Sequence, residues 1–118
     1  MNPIASQQNL LAEALQTDGW SIVDRATNLA YWEYYEVWTL ESQWRPVGLR
    51  ALVLFLVDPH PPLEDPQRKR IWAVECTSGS PWDAAGRCEP IAKVSITHWE
   101  RGVAELVESL AGFRNRST

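Results

Sequence analysis

The side chains best suited to acid–base chemistry are glutamates in segments otherwise rich in aromatic and β-branched residues. Glu33, Glu36 and Glu41 lie in one such segment, and Glu75 lies in another. Two carboxylates held close together can act as a general acid and a general base. No motif fixes which two of these glutamates would meet. We therefore interpret them as solvated or salt-bridged strand residues and predict no catalytic residue.

Glu36 is the most unusual of these glutamates, because the strand pattern places it on an apolar face. A carboxylate buried without a partner is costly, so we expect it to be paired, to be neutral or to lie near a sheet edge. Arg25 and Arg70 are the candidate cations on neighbouring strands.

The residue types needed for thiol catalysis are present, as Cys76, Cys88 and His98. Nothing around either cysteine resembles a nucleophile motif, and Cys76 follows a strand pattern typical of a small buried apolar residue. Two cysteines make neither a disulfide framework nor a tetrahedral metal site, and the two histidines lack metal-ligand spacing. We predict no metal and no cofactor.

Seven tryptophans in 118 residues are the strongest compositional signal. Trp32, Trp38 and Trp44 are spaced six residues apart, which places all three on one face of a strand. One interpretation is a core built from large side chains. The other is a binding surface, because tryptophan and tyrosine dominate interaction hot spots.

The elements that must position these residues follow from the hydrophobic pattern. Asn2 and Pro3 form a helix start and Gly19 a helix end, which predicts a helix over 3–16. A capping box at 97–100 and an apolar stripe ending at Gly112 predict a final helix. We predict one domain over 1–113 and a disordered tail over 114–118. Strands are predicted over 20–25, 30–44, 49–57 and 70–77, with a short edge strand over 91–96.

The segments 30–44 and 49–57 are predicted to form an antiparallel hairpin. The sequence of residues 45–48, with Pro46 second and Gly48 fourth, favours a type I turn. A four-residue loop would pair Trp44 with Leu49 and Trp38 with Phe55. This register makes one face nearly all apolar and grades the other from polar to apolar.

The order of elements predicts an α+β fold, a two-layer sandwich. Its antiparallel sheet has four to five strands, with the N-terminal and C-terminal helices packed on one face. Two helices cannot cover both faces, so we predict that the second face is an interaction surface. Its residues are Tyr31, Tyr35, Val37, Leu52, Leu54 and Leu56.

Charge and composition exclude several classes of function. The net charge is −4 and the one basic cluster is residues 68–70, so we predict no nucleic-acid partner. The longest apolar run, over 51–57, is too short to span a bilayer, and the N-terminus lacks signal-peptide features. We therefore expect no membrane partner and a cytoplasmic location.

Three functions remain in order of preference. The first is a non-enzymatic interaction domain that binds another protein or a second copy of itself. The second is a small-molecule binder with a pocket between sheet and helices, lined by Glu36, Trp38, Trp72 and Trp99 and gated by the proline-rich loop 59–66. The third and weakest is an enzyme that uses strand carboxylates.

Overall fold

The computed structural model describes residues 3–27, 34–57, 71–80 and 88–117. It confirms the predicted fold class: two helices pack on one face of a five-stranded antiparallel sheet. The elements in chain order are α1 Pro3–Thr17, β1 Trp20–Ala26, β2 Tyr34–Ser42, β3 Arg50–Val57, β4 Ile71–Thr77, β5 Pro90–Ser95 and α2 Trp99–Arg116. Neither helix is long and apolar enough to cross a membrane, as far as the described ranges extend.

The sheet is a simple meander in which each strand pairs with the next along the chain, in the order β1-β2-β3-β4-β5. Pairing each strand with its neighbour in the chain is the most local way to build an antiparallel sheet. The tryptophan, leucine and valine side chains on one face of β2 and β3 pack against the helices and form the main core. The proline-rich loop 59–66 and the basic cluster 68–70 lie outside the described residues.

The helices contribute to this core through regularly spaced apolar side chains. Leu11 and Leu15 of α1, one turn apart, have no exposed surface. In α2, Leu106 and Leu110 are also fully buried, and Phe113 is nearly so. α2 continues past Gly112 and ends at Arg116, so residues 114–116 are helical and not the disordered tail that the sequence suggests.

The start of α2 also differs from the prediction. The residue that caps the helix is His98, not Thr97, and it adopts a left-handed conformation with φ 57° and ψ 52°. Its side chain makes no capping hydrogen bond. The predicted capping box is therefore wrong, although the helix begins within two residues of the predicted position.

The β2–β3 hairpin has the predicted faces but a different register. Trp38 pairs with Val53, not Phe55, so β3 is displaced by two residues. An even displacement preserves which side chains share a face. The loop is longer than a four-residue turn and contains a cis Arg45–Pro46 peptide bond. Trp44 lies beyond the end of β2 with its ring packed against Gly19, so it does not share a strand face with Trp38 as predicted.

Candidate functional site

Glu36 is buried, with 7% of its surface exposed, and each of its carboxylate oxygens accepts a hydrogen bond. The indole Nε1 of Trp38 donates to Oε1 at 2.6 Å, and the amide Nε2 of Gln8 in α1 donates to Oε2 at 3.1 Å. Arg25 forms no ion pair with Glu36; its guanidinium lies over the Trp38 ring, 4.4 Å from the centroid. Glu36 thus joins α1 to β2 and satisfies a buried indole, which is a structural role.

The other strand glutamates do not meet Glu36. Glu41 lies on the opposite face of β2 and pairs with Arg50 at 3.4 Å near the surface. Glu75 is also on the second face, where it pairs in register with Leu54 and Lys93. Glu33 lies outside the described residues. Glu36 therefore forms no acid–base pair with Glu41 or Glu75, because the sheet separates it from both.

The two cysteines have different environments. Cys76 has no exposed surface, and burial, with a smaller contribution from the charge of Glu75, raises the pKa of its thiol to about 12. A thiol with this pKa stays protonated at neutral pH and is a poor nucleophile. Cys88 and His98 are exposed. Within residues 3–27, 34–57, 71–80 and 88–117, no three His, Cys, Asp or Glu side chains are placed to hold a metal ion.

The four residues predicted to line a pocket are dispersed. Glu36 and Trp38 are hydrogen bonded to each other inside the structure. Trp72 is the extra residue of a register shift in β4, is 49% exposed and lies under the ammonium of Lys93, 4.9 Å from the ring centroid. Trp99 is half-buried at the start of α2. These side chains therefore do not converge on one cavity.

The side chains predicted to form an exposed sheet face are mostly buried within the single chain. Val37, Leu54 and Leu56 have exposed fractions of 4%, 1% and 8%, and Leu52 is partly buried against them. Tyr35 is the extra residue of a register shift in β2, and it packs against the helix-side core and not on the second face. Tyr31, like Trp32, lies outside the described residues. The described members of this set therefore offer little area to a partner.

Among the residues that the structure describes, the most exposed large apolar side chains lie instead on the β2–β3 loop. Trp44 is 50% exposed and Val47 is 70% exposed. Arg45, between them in the chain, is exposed and forms no ion pair with another described residue. We name Trp44, Arg45 and Val47 the loop patch. The strand predicted over 30–44 includes Trp44 and so does not indicate this patch, although apolar residues beside a proline and a glycine in a turn are an available signal.

The loop patch is held in place by backbone contacts. The Ser42 amide donates to the Leu49 carbonyl at 2.8 Å, and the Gly48 amide donates to the Ser42 carbonyl at 2.8 Å. The Gln43 amide donates to the Gly19 carbonyl at 2.7 Å, which ties the loop to the end of α1. The exposed side chains are therefore presented on a defined backbone.

A second set of contacts fixes the Trp44 ring itself. Gly19, with φ 82°, lies directly against the ring, and any Cβ at this position would clash with it. The Arg114 guanidinium lies 4.7 Å from the Trp44 ring centroid and 4.9 Å from that of Trp20. Arg114 is itself 5% exposed and donates to the Asp18 carbonyl at 2.9 Å. One arginine thus joins the loop, the α1–β1 turn and the end of α2.

No protein-family model matches the chain, and neither a curated protein nor a solved structure matches it significantly.

Proposed function

We propose that this protein is a non-enzymatic interaction domain that binds a protein partner, either another protein or a second copy of itself, through the loop patch. The observation that carries the proposal is a half-exposed tryptophan, packed against Gly19 and Arg114, in the same short loop as an exposed arginine and an exposed valine. Tryptophan and arginine are among the residues most enriched in binding hot spots.

Preorganisation supports the choice of this surface. The Trp44 ring is fixed by Gly19 and Arg114, so binding would immobilise few additional rotamers. Ordering a flexible side chain costs about 0.5–1.5 kcal/mol on association, and a side chain that is already ordered avoids most of this cost. An exposed tryptophan that is ordered before binding is therefore well suited to be an anchor.

The loop patch also indicates the chemistry of its partner. Trp44 and Val47 require an apolar recess, while Arg45 carries a charge that no described residue of this chain neutralises. We expect the recess to have a carboxylate at its rim, because arginine forms strong, often bidentate hydrogen bonds with carboxylates.

The chain offers a matched control for testing this surface. Trp72 is 49% exposed, almost the same as Trp44, but it lies on β4 beside Lys93. Truncation of a hot-spot residue costs at least about 2 kcal/mol, or roughly a thirtyfold loss of affinity. We expect Trp44→Ala and Val47→Asp each to weaken association at least tenfold, and Trp72→Ala to leave it unchanged.

The assay is sedimentation velocity of the purified protein or of its complex with the co-purifying partner. Val47→Asp keeps the test valid if Trp44→Ala loosens the loop, because Val47 is largely exposed and contributes little to the core. Equal weakening by Trp72→Ala, or association that survives both loop variants, would exclude the loop patch.

A further inference from the structure

A cleft lies between α1 and the first turn of α2, on a different part of the molecule from the loop patch. It is a shallow depression, largely open to solvent, with a volume of about 560 Å³. Its apolar surface comes from Leu10 of α1, which is 38% exposed, and from Trp99 of α2. The apolar area is small, so a ligand that fits it must itself be small.

The indole of Trp99 has a fixed orientation in this cleft. Its Nε1 donates to the Gln7 carbonyl oxygen at 2.8 Å, so its one polar atom is already satisfied. Gly102 supports another part of the ring, since a Cβ there would lie 3.4 Å from it. What remains for a ligand is the apolar ring surface, which can stack on another flat ring. Stacking of a nucleobase on such a side chain contributes about 1–3 kcal/mol.

The rim of the cleft is polar and carries charges of both signs. Arg101 and Glu100 are adjacent, exposed and without ion pairs to the rest of the described chain. Ser6 contributes a hydroxyl, and His98 contributes an imidazole that the helix does not use for capping. Since the two formal charges cancel, the rim selects for hydrogen-bond donors and acceptors more than for net charge.

We propose that this cleft binds a small, planar heteroaromatic molecule without net charge, whose ring stacks on Trp99 and whose edge carries both donors and acceptors. For an anionic ring compound the attraction of Arg101 is offset by the repulsion of Glu100, and the reverse holds for a cationic one, so neither recovers the cost of losing its hydration. The site shares no residue with the loop patch, so the result of either test does not affect the other proposal.

The test is an NMR titration of the ¹⁵N-labelled protein with adenosine as the neutral probe, and with benzoate and benzylamine as charged ring compounds. Trp99→Phe identifies the Trp99 indole signal. We expect saturable shifts of that signal and of the backbone amides of residues 98–101, with a Kd on the order of 1 mM for adenosine. Binding of the two charged compounds should be at least fivefold weaker.

Two variants make the titration specific. Leu10→Arg places a large charged side chain in the cleft and should abolish the shifts, while Val23→Arg, at an exposed apolar position on β1, should leave them intact. The proposal is overturned if adenosine causes no saturable shift, or if the exposed indoles of Trp44 and Trp72 respond as strongly as Trp99. It is also overturned if benzoate or benzylamine binds more tightly than adenosine.

Discussion

Replacement of Arg114 by methionine tests whether the end of α2 fastens the loop to the rest of the fold. Methionine keeps an unbranched apolar stem but removes the guanidinium that contacts Asp18, Trp20 and Trp44. Loss of hydrogen bonds from a charged donor costs about 1.5–3 kcal/mol, and loss of a desolvated cation–π contact costs up to about 2 kcal/mol. The Asp18 side chain is 26% exposed, so its released charge can be solvated and adds little to the cost.

We therefore expect Arg114→Met to lower the free energy of unfolding by about 3 kcal/mol. Arg116→Met is the matched control, because Arg116 lies two residues further along the same helix. Its ion pair with Glu89 is 3.7 Å long, and the two side chains are 60% and 61% exposed. The control should change the free energy by less than about 0.5 kcal/mol.

Urea denaturation followed by tryptophan fluorescence measures both variants. A disordered C-terminal tail would make the two substitutions equally harmless. If Arg114→Met and Arg116→Met agree within about 0.5 kcal/mol, the assignment of Arg114 as a buried link is refuted.

Three further predictions concern other parts of the structure. Gly19→Ala should destabilise the fold by at least about 2 kcal/mol in urea denaturation, because it strains a positive-φ backbone and displaces the Trp44 ring; an unchanged midpoint would contradict this packing. Cys88 should react with Ellman's reagent in the native protein at pH 8, while Cys76, with its pKa near 12, should not. Folding raises the pKa of Cys76 from 9.0 to about 12, so the free energy of unfolding that depends on its protonated thiol should be lost as the pH rises from about 9 to about 12. Cys76→Ala is the reference for that measurement. Glu36→Ala should cost about 2–4 kcal/mol and Glu36→Gln clearly less, because glutamine can still accept the indole hydrogen bond; equal costs in thermal denaturation would contradict the proposed bonding.

The architecture could be predicted from the sequence because helix and strand periods are local signals. Leu11 and Leu15 indicate the buried face of α1, and both are fully buried. Alternation also predicts the faces of β3 and of β2 from Glu36 onwards, since it survives a two-residue displacement of register.

The register itself depends on contacts that are distant in the sequence. Trp44 leaves β2 to pack on Gly19 and Arg114, and no local pattern indicates that these three residues meet. The same contacts explain the end of α2. Gly112 is typical of a helix end, but the burial of Phe113 and Arg114 stabilises another turn beyond it.

The candidate sites were harder to predict because single extra residues in the strands redirect side chains. Tyr35 and Trp72 each lie at a register shift, and each points away from the face that strict alternation predicts. The cleft at Trp99 requires α1 and α2 to meet, which is a tertiary contact between residues 92 positions apart in the chain. Only Trp99 of the four predicted pocket residues lines it.

The most direct test of the proposed function is native mass spectrometry of protein isolated gently from the cells that produce it, across a dilution series. We predict a dimer or a complex with a second protein for the unmodified chain and for Trp72→Ala, and a monomer for Trp44→Ala and Val47→Asp. A monomer for the unmodified chain at every concentration would contradict the account, as would a complex that survives both loop substitutions.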